Sequence, residues 1–145
     1  MSVAGTGMNA ELFARMTLIR ARLEGRFGVD LRVSTTFWAA DDWRQRSLPA
    51  RSKACGWDEP VAEVGRPFAL GFCPELIAAS TAHLALDELG EYLDLIELTL
   101  ELHLCYWGEI ADPIARRARV EQDVATLATP SAMATLAELE RRAPG

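Results

Sequence analysis

The sequence predicts an α+β domain that is mostly helical: an N-terminal helix, a small two- or three-stranded sheet, then a cluster of about four helices. Three observations predict it. Apolar residues from Leu12 to Phe27 recur at helical spacings, the period drops to two between Val29 and Phe37, and helical period returns from Pro74 to near the end. The chain has 145 residues, 50% apolar and 25% charged, which is the size and composition of one globular domain. Residues 1–145 therefore read as a single domain, with residues 1–8, small and glycine-bearing, as a loose tail.

The elements follow in order. Asn9 is a suitable N-cap, and Glu11 suits a first helical turn. Leu12, Met16, Ile19, Leu23 and Phe27 then form one apolar stripe, bordered by Arg15, Arg22 and Arg26, and Gly25 and Gly28 offer an end. Val29, Leu31, Val33, Thr35 and Phe37 alternate with polar residues, a strand pattern. Phe68–Phe72 is a second strand candidate, and Pro60–Val64 is a weaker third. Trp38–Trp57 reads as a helical turn followed by a loop. Pro74 opens a helix over Glu75–Leu84. Asp87–Trp107 is the strongest helix in the chain, ended or bent at Gly108. Asp112-Pro113 and Thr129-Pro130 start two more.

The central helix is apolar on two sides. Leu86, Leu89, Leu93, Ile96, Leu100, Leu104 and Trp107 make a broad face, and Leu95, Leu98 and Leu102 make a narrow second stripe. Asp87, Glu91, Asp94, Glu97 and Glu101 lie between them as an acidic ribbon. Burial inside the monomer explains two apolar faces; a partner or a symmetry mate on Leu98 and Leu102 explains them too.

Charge is unevenly spread. The net charge is −6, yet residues 1–53 sum to +4, residues 54–112 to −11 and residues 113–145 to +1. Such asymmetry marks a partner surface or two regions that dock on each other. The overall acidity disfavours nucleic acid as a partner, because phosphate recognition needs cationic surface. No apolar run approaches the roughly 20 residues that span a bilayer, and no secretory signal is visible, so no membrane is expected and the expected location is cytoplasmic.

Catalytic and metal chemistry find little support. Cys55, Cys73 and Cys105 are odd in number and far apart, so they read as reduced thiols rather than a disulfide framework. Neither His83 nor His103 follows a glutamate by three, as a carboxylate-bridged metal site would require. His103 and Cys105 point about 200° apart on one helix, too far for a shared ion. No nucleophile elbow, catalytic-cysteine signature or phosphate-binding glycine loop is present. We expect no catalytic residue, no metal and no cofactor. An enzyme is not excluded, because catalytic groups can assemble in space.

One segment stands out: Trp38–Trp57 holds three of the four tryptophans with Arg44, Arg46, Arg51 and Lys53. Tryptophan and arginine dominate binding hot spots. The expected partner-binding residues are Trp38, Trp43, Arg44, Arg46, Arg51 and Trp57, together with Leu98 and Leu102. The expected function is that of a small acidic protein-binding module, an adaptor or an inhibitor or immunity-type protein. Its partner would be another protein, basic by charge complementarity, or a second copy in a homodimer. The alternative is a small enzyme or ligand-binding domain with a pocket between sheet and helices, lined by Trp38, Trp43, His83 or His103.

Overall fold

The computed structural model describes residues 3–32, 34–48, 55–63 and 66–142, with side chains described except at 3–9, 62–63, 66–67 and 142. Within those residues the chain runs α1 (Val3–Phe27), β1 (Thr35–Phe37), α2 (Ala40–Gln45), β2 (Trp57–Glu63), β3 (Arg66–Phe72), α3 (Pro74–Thr81), α4 (Leu86–Cys105), α5 (Pro113–Leu127) and α6 (Pro130–Arg142). This is the predicted α+β, mostly helical order. The residues fall into two compact units, one ending at His83 and the other spanning Leu84–Arg142.

In the first unit, α1 buries Leu12, Met16, Ile19 and Leu23, each at most 2% exposed. Each such side chain contributes about 1.5–3 kcal/mol of hydrophobic stabilisation. The helix packs against α3. It starts at Val3 rather than after Asn9, so Asn9 lies inside it and residues 3–8 are helix instead of tail. Once a stable amphipathic turn exists, adding further turns costs little, because nucleation is the expensive step. Gly28, at φ +65°, ends α1 with its N–H donated to the Glu24 carbonyl at 2.9 Å.

Among the described residues of the strand expected over Val29–Phe37, only Thr35–Phe37 are regular; Val33 lies outside the described residues. Side chains capture the backbone before it. Asp30 Oδ1 accepts the Arg32 N–H at 3.0 Å, Glu24 Oε2 accepts the Leu31 N–H at 3.0 Å, and Ser34 N–H reaches the Leu31 carbonyl at 3.1 Å. Aspartate competes with the ladder in this way wherever a local turn is open to it. The same Arg32 donors hold the Asp30 carboxyl well below the usual carboxylate range. Leu31 still points inward and is fully buried.

The sheet order is β1-β3-β2, with β1 parallel and β2 antiparallel to the central β3. Residues 60–63 of the weakest strand candidate, Pro60–Val64, lie in β2, which starts earlier, at Trp57, while Val64 lies outside the described residues. Pro60 is tolerated because β2 pairs on one side only and its register shifts between Asp58 and Val61. Ladder partners project to the same side. One face therefore carries Thr35, Leu70, Phe37 and Phe72, and the other carries Thr36, Gly71 and Asp58. Phe13 of α1 meets Phe37 at 4.4 Å, and Phe37 stacks on Phe72 at 5.8 Å, which ties α1 to the first face.

In the second unit α4 packs against α5 and α6. Tyr92, Leu93, Leu95, Ile96, Leu100 and Leu104 of α4 are buried, as are Val120 and Val124 of α5 and Ala132, Leu136 and Leu139 of α6. The caps are local and chemical. Asp112 accepts the Ala115 N–H at 2.9 Å, and Thr129 Oγ1 accepts the Ala132 N–H at 3.1 Å. At α4 the Glu88 carboxylate accepts the Ala85 N–H at 3.0 Å, the half of a capping box that an alanine can share. Among the described residues no helix is long and apolar enough to cross a membrane.

Two glycines separate open space from obligatory absence. A Cβ on Gly56 (φ +83°) would lie 2.8 Å from the Ile77 nitrogen and 2.9 Å from the Cys73 oxygen, both backbone atoms. A Cβ on Gly25, inside α1, would meet nothing within 4 Å. Gly56→Ala is therefore expected to lose about 2–5 kcal/mol, from left-handed strain and forced overlap. Gly25→Ala is expected to gain about 0.5–1 kcal/mol. Urea denaturation of both variants checks the pair.

Candidate functional site: a tryptophan–arginine cluster on the sheet

The second sheet face receives α2. Its chain direction is set by Trp38, whose N–H extends the β1 ladder to the Phe72 carbonyl at 2.7 Å. The six residues of α2 then turn Trp43 inward, where it is fully buried. Arg46 leaves the end of α2 with its N–H on the Trp43 carbonyl at 3.2 Å. Its guanidinium carbon lies 4.5 Å from the Trp38 ring and 5.0 Å from the Trp43 ring. A cation held against indole faces is attracted by their quadrupoles, by about 0.5–2 kcal/mol per contact.

Gly71 makes this packing feasible. A Cβ there would stand 2.9 Å from Arg46 Nη1, 3.3 Å from Trp38 Nε1 and 3.3 Å from Trp43 Cζ3. All three side chains converge on the spot that a side chain at 71 would fill. Two of the donors, Arg46 Nη1 and Trp38 Nε1, are buried and find no acceptor among the described residues. Asp58, the ladder partner of Gly71, places a carboxylate on the same face; it is 3% exposed and has contacts of its own. Arg44 points away, exposed and paired with Asp41 at 3.2 Å.

The expected site residues thus divide. Trp38, Trp43 and Arg46 come together. Arg44 lies beside them in solvent, and Trp57, at 6% exposure, is an interior residue of β2. Arg51 and Lys53 lie outside the described residues. Leu98 and Leu102 are half-buried on α4, in the second unit. His83 is exposed at the end of the first unit, and His103 is buried in α4. Cys55 and Cys73 are buried thiols, the latter pushed up in pKa by that burial, and Cys105 is exposed. Among the described residues no three of His, Cys, Asp and Glu gather closely enough to hold a metal ion. Gly71 and Asp58 are the members that sequence reasoning missed. A glycine inside the Phe-Ala-Leu-Gly-Phe strand was the available signal, since such a glycine marks close approach by another group.

The second unit repeats the arginine-on-aromatic device. Arg116, 6% exposed, stacks on Trp107 at 4.1 Å and donates Nη1 to the Ile110 carbonyl at 3.0 Å. This ties the segment after α4 to α5. Next to it the Tyr106 hydroxyl donates to Asp123, and Arg119 sits 5.3 Å from the Tyr106 ring. The bond to Asp123 raises the Tyr106 pKa, with desolvation adding to it and Arg119 opposing.

Comparison with protein-family models, with curated proteins and with solved structures finds no match for the chain. The functional reading therefore rests on the sequence and the structure themselves.

Three outcomes test these arrangements. Gly71→Ala should drive Arg46 and Trp38 off the sheet, costing about 1–3 kcal/mol and red-shifting tryptophan emission; unchanged emission would contradict the packing. A tyrosine pKa raised on folding adds stability that is complete below the unfolded value of about 10 and disappears as pH climbs through the folded value. Wild type should therefore lose more stability above that pH than Tyr106→Phe. Ultraviolet titration of Asp123→Asn should show Tyr106 ionising at lower pH than in wild type.

Proposed function

We propose that the chain is a protein-binding module whose second unit meets a basic partner protein. One observation carries this reading: three large aliphatic side chains stand in water on the unit that holds the net charge. Leu86 is 87% exposed, Ile114 81% and Leu127 63%. Leu84–Arg142 carries twelve acidic and five basic side chains, a net of −7 against −6 for the whole chain. All five bases lie on α5 and α6, where Arg117–Glu121, Arg119–Asp123 and Arg141–Glu138 pair along their own helices. The surplus belongs to α4, which has six carboxylates and no lysine or arginine. Aliphatic anchors among carboxylates suit a partner that offers apolar pockets rimmed by cations. The charge speeds encounter and the anchors hold the complex. An adaptor fits this description, and so does an inhibitor or immunity-type protein, with an inhibitor of a basic toxin or nuclease as the subcase that charge favours.

The test compares wild type with Leu86→Ser/Ile114→Ser/Leu127→Ser as immobilised bait in extract of the native host. Wild type should retain a basic protein at low salt, releasing it as the Debye length shrinks from about 30 Å at 0.01 M to about 3 Å at 1 M. The triple variant should retain at least about tenfold less. Equal retention by both baits would sink the proposal. Light scattering checks the remaining arm: a wild-type dimer that the triple variant turns into a monomer would make a second copy the occupant.

A further inference from the structure

We infer that the groove between Leu102 of α4 and Leu127 of α5 is where the second unit holds its basic partner, through an amphipathic segment that carries lysine or arginine beside an apolar side chain. The inference rests on the function proposed above and narrows it to one place. Tyr106 fixes that place. It caps α4, with its N–H on the Leu102 carbonyl at 3.0 Å, and so continues the helical row of Leu98 and Leu102. Its ring reaches α5, where the hydroxyl donates to Asp123 and the Arg119 guanidinium carbon lies 5.3 Å from the ring. The two helices pack on each other and are joined by the short connection 106–112, so they run antiparallel. One turn back from Tyr106 is Leu102, and one turn on from Asp123 is Leu127. The contact of Tyr106 with Asp123 therefore sets Leu102 opposite Leu127, with Leu98 a further turn along.

Leucine is shorter than tyrosine, so the span that the Tyr106 ring bridges is left open between the two leucines. Their exposure agrees: Leu127 is 63% exposed, and Leu98 and Leu102 are half-buried. Leu86 and Ile114, at 87% and 81%, are too exposed to have such a wall beside them. Charge selects the occupant. From Val124 to Ala137 no side chain is charged, so the groove takes its charge from α4, which holds six carboxylates and no lysine or arginine. Asp94, four residues before Leu98, is exposed on that helix. A second copy of the groove would set like charge against Asp94, and a wholly apolar occupant would bring no counter-charge. A cationic amphipathic segment supplies both an apolar side chain for the leucines and bases for the carboxylates.

The experiment uses the full chain, ¹⁵N-labelled, with a short amphipathic peptide of leucine and lysine as the probe and its leucine–glutamate counterpart as the control. The leucine–lysine peptide should move the Leu102 and Leu127 backbone amide resonances saturably, and the leucine–glutamate peptide should bind at least about tenfold more weakly. Leu127→Ser should lower the affinity about tenfold, while Leu86→Ser and Ile114→Ser keep it within about twofold. Leu127 is mostly exposed, so its replacement leaves the fold intact, which an unchanged thermal melt checks. No saturable shift, equal binding of the two peptides, or wild-type affinity in Leu127→Ser overturns the inference. So does a loss of affinity confined to Leu86→Ser or Ile114→Ser. Retention of a basic protein from extract is a separate measurement, so the groove can fail while the proposed function stands.

Discussion

The central strand β3 carries side chains of opposed size on its two faces, and the first unit is arranged around that difference. Leu70 and Phe72 fill one side, at 2% and 0% exposure. Gly71, between them, leaves the other side bare. Both edges of β3 are occupied, so the strand cannot shift to relieve either face. On the filled side the sheet continues into α1 through Phe37 and Phe13. On the bare side there is room for a guanidinium and two indoles at van der Waals distance from the backbone. Burying part of a cation in this way is expensive, and quadrupole attraction from both rings offsets the cost.

The second unit answers a different constraint. Its longest helix carries six carboxylates and no cation of its own. Asp87 and Glu88 suit the N-terminal end of the helix dipole, while Glu97 and Glu101 run against it. Dipole contributions of about 0.3–1 kcal/mol each are small beside the burial of six apolar or aromatic side chains at about 1.5–3 kcal/mol each. Packing therefore sets the position of α4, and its charge is available to act on the surroundings.

Local chemistry was legible in the sequence. Asp112, Pro113, Thr129 and Pro130 mark helix starts because a cap acts within one turn, and the α4 face is legible because its period holds over five turns. The alternation from Val29 misled, since a period of two cannot register that Asp30 and Glu24 hydrogen-bond the backbone away from the ladder. The start of α1 misled because a good N-cap inside a helix costs little. The tryptophan–arginine segment was legible as composition only. Whether Trp43 faces solvent or the interior depends on Gly71, far along the chain, and no local pattern carries that information. Leu86, Ile114 and Leu127 likewise fit an apolar period, yet the structure leaves them outside.

The parallel pairing of β1 with β3 has a kinetic consequence. Thr35 meets Leu70 across thirty-four residues of intervening chain, whereas β2 and β3 are only two residues apart in sequence. Loop-closure entropy favours the local pairing first, so the β2–β3 hairpin forms early and β1 docks onto a strand already in place. Until it does, the outer edge of β3 presents unpaired N–H and C=O groups next to Phe68, Leu70 and Phe72. That edge is a template for another chain. The three residues of β1 are therefore the cover of that edge, and their loss opens the sheet to another chain.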